Sequence, residues 1–132
     1  MTVRVVRLIA AGTAGASALL YYLIGFGALN IGVSTSGQTD LLGFGLSAGT
    51  AFVVAAVLVL LVRRRWLVAL VGLMDAAVIV GYFAMADIRV PSYEVWGLAI
   101  KALQVLFLLA LGYLVVRNEQ VPERSARRYA PV

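Results

Sequence analysis

The chain contains no cysteine and no histidine in its 132 residues. Their absence excludes disulfides, thiol nucleophiles, iron–sulfur ligation, zinc sites of the usual kind and histidine-ligated haem. No metal or other cofactor is expected, and without cysteine the sequence says nothing of the redox compartment. Charge is scarce: 13% of the residues are charged, against about a quarter in a soluble domain. Lysine occurs once, at Lys101, against ten arginines. Proline is rare, with Pro91 in a short loop and Pro122 and Pro131 in a polar tail.

What fills the chain instead is apolar: 63% of residues are hydrophobic and the mean hydropathy is +0.99. Such a chain is not built to hide one core from water. Four long apolar runs stand out, at about 7–29, 41–62, 66–86 and 94–116. Each is long enough to cross ~30 Å of hydrocarbon, which takes ~20 helical residues at 1.5 Å each. The runs are continuous rather than alternating, which excludes a closed β-barrel. The expected fold is an all-α membrane protein, a four-transmembrane-helix bundle over 1–116 followed by a cytoplasmic basic tail over 117–132. The first run has features of a signal peptide, with Arg4 and Arg7 ahead of it and small residues from Ala14 to Ala18. Its apolar stretch continues through Leu19, Leu20, Leu23, Ile24 and Phe26, so it is read as an uncleaved helix. Ten arginines to one lysine, with abundant Ala, Val, Gly and Leu, point to a high-GC bacterial source.

The net charge of +5 is a topology signal and not a nucleic-acid one, because the basic residues flank the apolar runs. Arg4 and Arg7 precede the first span, Arg63, Arg64 and Arg65 link the second to the third, and Arg117, Arg124, Arg127 and Arg128 follow the fourth. With four spans all of these fall on one side, opposite Arg89. By the positive-inside rule both termini and the Arg63–Arg65 turn are expected in the cytoplasm, and the 30–40 and 87–93 loops outside. Trp66 and Tyr113 fall at the inner boundary, and Tyr82, Phe83, Tyr93 and Trp96 at the outer, as interfacial aromatics do. Thr39 or Asp40 is a candidate N-cap for the second span, and Ser92 for the fourth. The three-residue arginine turn predicts that the second and third spans are antiparallel neighbours. The tail is polar and expected to be disordered. Its Arg124, Arg127 and Arg128 either fix topology only or touch anionic headgroups, at ~1 kcal/mol each.

Small residues mark packing faces, since close backbone approach replaces hydrophobic drive between membrane helices. Gly45-Leu-Ser-Ala-Gly49 is a GxxxG motif, continued by Ala56; the first span has Ala11, Gly12, Gly15 and Ala18, and the third Gly72, Ala76, Ala77 and Gly81. Gly45, Gly49 and Gly72 are expected to pack the four helices together; a homodimer contact through Gly45 and Gly49 is the alternative. The two halves can be overlaid as hairpins, with too few matching residues for a repeat.

Two ionisable residues lie inside spans, and such groups face partners or cavities rather than lipid. Asp75 is near the centre of the third span. A carboxylate there costs ~2.5–3.5 kcal/mol on insertion, offset by about nine strongly apolar residues at ~0.3–0.6 kcal/mol each. In the fourth span Glu94, Gly97, Lys101 and Gln104 are spaced three, four and three, which places them on one helical face. Hairpin geometry sets Gln104 level with Asp75, and Lys101 four residues, ~6 Å, nearer the outer surface. Tyr21 or Tyr22 is close to the depth of Lys101 and can supply a hydroxyl. The cluster of Asp75, Lys101, Gln104, Tyr21 and Tyr22 has three readings: a lock between the third and fourth helices, an ion or ligand site, or a contact with another subunit. Asp87 and Arg89 read as a solvated pair, and Glu94 as an acid favoured at a helix N-terminus.

Three functions remain open. The first is a non-enzymatic accessory or structural subunit, since the outer loops are too short for a catalytic domain. The second is a small transporter or ion- or ligand-binding bundle using Asp75 and Lys101. Small drug-resistance exporters share four helices and a membrane carboxylate, but theirs is a glutamate in the first helix, where this chain has no ionisable residue in the apolar body. The third is a quinone- or lipid-binding subunit of a membrane enzyme. Gly43-Phe-Gly-Leu-Ser-Ala-Gly49 opening the second span, the Arg63–Arg65 inner turn, and Glu94-Val-Trp-Gly-Leu-Ala-Ile-Lys101 opening the fourth carry a resemblance over the whole chain. In layout it resembles small four-helix membrane proteins of the DoxX-like kind. That resemblance implies a four-helix fold in the bacterial inner membrane and assigns no functional residue. Expected partners are the lipid bilayer and either a second copy or a larger membrane complex, with no nucleic acid.

Overall fold

The computed structural model describes residues 1–29, 33–34, 40–90 and 93–117. Among these residues there are four α-helices: α1 (Val3–Gly25), α2 (Leu41–Leu61), α3 (Arg65–Ala84) and α4 (Val95–Arg117). Each is long and apolar enough to cross a membrane. Two short strands that the sequence did not reveal, β1 (Val33–Ser34) and β2 (Arg89–Val90), pair antiparallel with Val33 opposite Val90. The ribbon ties the α1–α2 loop to the α3–α4 loop, so both lie at one end of the molecule. A single 3-10 turn, Ala86–Ile88, leads from α3 to β2.

The helix ends follow local chemistry. Thr2 caps α1, its hydroxyl accepting from Val5 N at 3.3 Å, so α1 begins four residues before the apolar run does. It also stops earlier than the run, which was expected to continue to residue 29. Gly27 has φ +78°, and the N–H groups of Gly27 and Ala28 donate to the carbonyls of Ile24 and Leu23. That pattern closes a helix around a left-handed residue, a conformation glycine adopts without a Cβ penalty. Asp40 caps α2, with its carboxylate 2.8 Å from Gly43 N. Thr39, Pro91, Ser92 and the tail beyond Arg117 lie outside the described residues, as does the Arg89 side chain.

Packing places α1 and α4 at the middle. Helix α1 packs against α2 on one side and α4 on the other, and α3 packs against α4. The arginine turn, expected to make α2 and α3 antiparallel neighbours, joins them with little contact between the two helices. A three-residue turn fixes only the adjoining ends, and the small residues elsewhere decide which faces meet. Gly45 is one such residue. A Cβ there would lie 2.5 Å from both Gly25 Cα and Tyr21 O, and one on Gly49 would lie 2.6 Å from the Tyr22 ring. The GxxxG face is therefore used inside the chain, by α2 against α1. Gly72 is buried in α3 facing Leu108 and Leu111 of α4.

Buried positions recur every three to four residues, through Val6, Ala10, Ala14, Ser17, Tyr21 and Ile24 in α1 and Ile100, Gln104, Phe107, Leu111 and Leu114 in α4. At the centre Tyr21 stacks on Phe52 at 5.7 Å between ring centroids, and Phe52 meets Phe107 edge-on at 6.2 Å. At the arginine-rich end, Arg7 Nη1 donates to Val59 O and Val62 O at 2.5 and 3.0 Å. It thereby satisfies carbonyls left over at the C-terminus of α2.

Candidate functional site

Four polar side chains are buried in the helices: Ser17, Asp75, Lys101 and Gln104. Ser17 returns its hydroxyl to Thr13 O at 2.9 Å within α1. The other three converge with Tyr21. Helix α4 presents Lys101 and Gln104 one turn apart on its buried face. Lys101 Nζ donates to Gln104 Oε1 at 2.5 Å and to Tyr21 Oη at 3.2 Å, and Gln104 Nε2 donates to Tyr21 Oη at 3.1 Å. The three groups close a triangle whose vertices belong to α1 and α4. The tyrosine oxygen accepts both bonds with its two lone pairs, and the glutamine uses both ends of its amide.

Aromatic faces complete the surroundings of the ammonium. Its nitrogen is 5.1 Å from the Tyr82 ring centroid and 5.9 Å from that of Tyr21, within the range of cation–π attraction. Tyr82 is a site residue that sequence reading missed. The signal was present: Tyr82 follows Asp75 by seven residues, two turns along the same face of α3. Opposite it, Gly97 leaves the room that the phenol fills, since a Cβ there would lie 2.5 Å from Tyr82 Oη.

Asp75 is placed differently from the rest. It is 4% exposed, on α3 where that helix meets α4, and Lys101 is the charge that acts on it. Yet neither carboxylate oxygen has a hydrogen-bond partner among the described residues. Gln104, expected level with Asp75, makes no hydrogen bond to it: both ends of the amide are committed to Lys101 and Tyr21. Hydrogen bonds of the cluster join the first and fourth helices, while Lys101 acts by its charge on Asp75 of the third. Tyr22, expected in the cluster, is on another face of α1. It is half-buried over Gly49, its hydroxyl 3.0 Å from Thr50 Oγ1 on α2. One residue's rotation, about 100° on a helix, separates the two tyrosines' roles.

The remaining predicted residues lie at the ends. Arg63 and Arg64 lie in the turn between α2 and α3 and Arg65 opens α3, all three exposed. Glu94 immediately precedes α4 and is half-buried, with Oε2 enclosed and lacking a hydrogen-bond partner among the described residues. No three acidic side chains converge as a metal site among the described residues. Chemically the cluster holds a cation firmly and an anion loosely, in an apolar setting where each charge is felt strongly. Comparison with protein-family models, with curated proteins and with solved structures finds no match.

Proposed function

We propose that the chain is a small multi-pass protein of the cell membrane, with both termini and the Arg63–Arg65 turn in the cytoplasm. In this reading it has no catalytic chemistry of its own and serves as an accessory or structural subunit of a larger membrane assembly. Membrane insertion is supported by the large apolar side chains exposed on the helices, among them Leu8, Leu19, Leu73, Val80, Leu109 and Val116. A surface of that extent does not suit water. The orientation is supported by the arginines gathered at one end.

The observation that carries the structural role is the closed triangle of Tyr21, Lys101 and Gln104. It commits the polar groups of α1 and α4 to each other. Extraction in mild detergent should yield the chain in stoichiometric complex with a larger membrane protein. A particle of this chain alone that moves a solute across vesicle membranes would overturn the proposal.

A second reading, an ion- or ligand-binding bundle, is favoured by the enclosed carboxylate of Asp75, which lacks a donor among the described residues. Here Asp75 is the binding group and Lys101 its counter-charge. The double substitution Asp75→Asn with Lys101→Met removes both charges together. If that variant folds and loses a transport or binding phenotype, the ligand reading gains and the purely structural one fails.

A further inference from the structure

Asp75 is the buried charged group that the triangle leaves aside. It is 4% exposed, and both carboxylate oxygens are enclosed without a hydrogen-bond partner among the described residues. The ionisable groups that face it come from three helices. Helix α4 contributes Lys101, whose charge acts on it. Helix α1 contributes the Tyr21 phenol, close enough to feel the carboxylate's charge. On α3 itself Tyr82 follows two turns later, its ring against the same ammonium. Helix α2 contains no ionisable residue.

The α3–α4 seam is different on the two sides of Asp75. Toward the ribbon end it is polar. Lys101 comes first, then Tyr82 over Gly97, then Glu94, whose Oε2 is also enclosed without a hydrogen-bond partner among the described residues. Toward the arginine end it is apolar: Gly72 faces Leu108 and Leu111 at ordinary contact distances, and Val68, Leu111 and Leu114 are buried. A charge entering from that end would lose its water and find no polar group in exchange, which makes it the costlier route.

We propose that Asp75 is a proton-binding site, loaded and emptied from the ribbon end along the polar side of the α3–α4 seam. Geometry selects the ligand. A metal cation takes several oxygens at once. Here the Tyr21 and Gln104 oxygens already accept from neighbouring side chains, and no three acidic side chains converge among the described residues. An organic cation needs a cavity, whereas the carboxylate oxygens are enclosed. A proton needs neither. It forms one O–H bond on a carboxylate oxygen, breaks the O–H bond of the hydronium that delivers it, and leaves a neutral acid and a water molecule. The inference rests on the ion-binding reading above and names its ion.

The test is infrared difference spectroscopy of the full chain reconstituted in lipid, following a drop in pH. A carboxylic C=O band should appear in the parent and be missing from Asp75→Asn. In heavy water the band should shift, because the bound proton exchanges. Tyr82→Phe with Glu94→Gln removes the hydroxyl and the carboxylate of the ribbon side. That variant should keep the Asp75 band and slow its rise ~100-fold, the low end of what a positioned proton-transferring group contributes. Ser17→Ala, which removes a buried hydroxyl bonded within α1, should change neither the band nor its rate. Circular dichroism establishes that each variant is folded; should the double variant not fold, Glu94→Gln alone takes its place. The absence of any band assignable to Asp75 would overturn the site. An unslowed rise, or equal slowing by Ser17→Ala, would overturn the route. If no band appears and Asp75→Asn with Lys101→Met still loses a binding or transport phenotype, the ion- or ligand-binding reading stands and the proton fails, so the two failures are distinguishable.

Discussion

Lys101 has hydrogen-bonding and aromatic neighbours on three helices, α1, α3 and its own α4, whereas Asp75 has no donor among the described residues. The two charges therefore differ in what their removal leaves behind. Lys101→Met strips two hydrogen bonds, one within α4 to Gln104 and one across to Tyr21 of α1, the latter worth about 0.6 kcal/mol between membrane helices. It also leaves an enclosed carboxylate without counter-charge, and breaking a buried pair in this way costs ~3–5 kcal/mol. The second effect dominates. Asp75→Asn leaves Lys101 its tyrosine, its glutamine and two ring faces, and should cost clearly less. The double substitution should recover most of the loss from Lys101→Met, which unfolding in detergent micelles would measure. Equal losses for the two single variants would mean that the pair, rather than the triangle, holds the helices. At this scale the sequence was informative about who is buried. The spacing of Glu94, Gly97, Lys101 and Gln104 marked the inner face of α4, and Asp75, Lys101, Gln104 and Tyr21 are all buried. It was less informative about who bonds to whom, because a small rotation of α1 decides whether Tyr21 or Tyr22 points inward.

Among the helices, three glycines that look alike in the sequence sit in different surroundings. A Cβ on Gly45 would meet backbone atoms of α1 at 2.5 Å, and backbone cannot move aside as a side-chain tip can. Gly45→Ala should therefore push α1 from α2, with the ~1–3 kcal/mol loss typical of overpacking. On Gly72 the same Cβ would find Leu108 Cδ1 at 3.6 Å and Leu111 Cδ1 at 3.7 Å, ordinary contact distances. Gly72→Ala should be neutral or stabilising by up to about 1 kcal/mol, the helix-propensity difference. On Gly12 it would find nothing within 4 Å, and Gly12→Ala should behave like Gly72→Ala. Thermal unfolding of the three variants in one detergent checks the order. A Gly45→Ala protein as stable as the parent would remove the close α1–α2 crossing from the fold. The GxxxG motif announced that some helix approaches closely, but its partner was not legible. Small residues advertise a short distance without naming the other surface, and the matching Gly25 lies at the end of α1 where no motif flags it.

For the whole molecule, hydropathy gave the number of helices and their rough positions, though not the ends of α1, because a span needs ~20 apolar residues and little else. It could not reveal the separation of α2 from α3, since side-by-side and parted helices have the same hydropathy. Nor could it reveal the ribbon joining residues 33–34 to 89–90, which depends on two loops far apart in the sequence. That ribbon bears on orientation, because it holds both connecting loops at the end opposite the arginine turn. If the arginines remain in the cytoplasm, then Asp87, exposed in the 3-10 turn after α3, must face outward and Arg64 inward. The cysteine-free sequence allows a direct measurement, since one introduced thiol is the only site for a maleimide. Asp87→Cys should react with a membrane-impermeant maleimide on intact cells. Arg64→Cys should react only after permeabilisation; as the N-cap of α3 it makes no side-chain capping bond that the substitution would remove. The opposite pattern would reverse the orientation while leaving the four-helix fold in place. Labelling of both positions on intact cells would mean that the chain inserts in two directions, for which a charge bias concentrated so heavily at one end gives no reason.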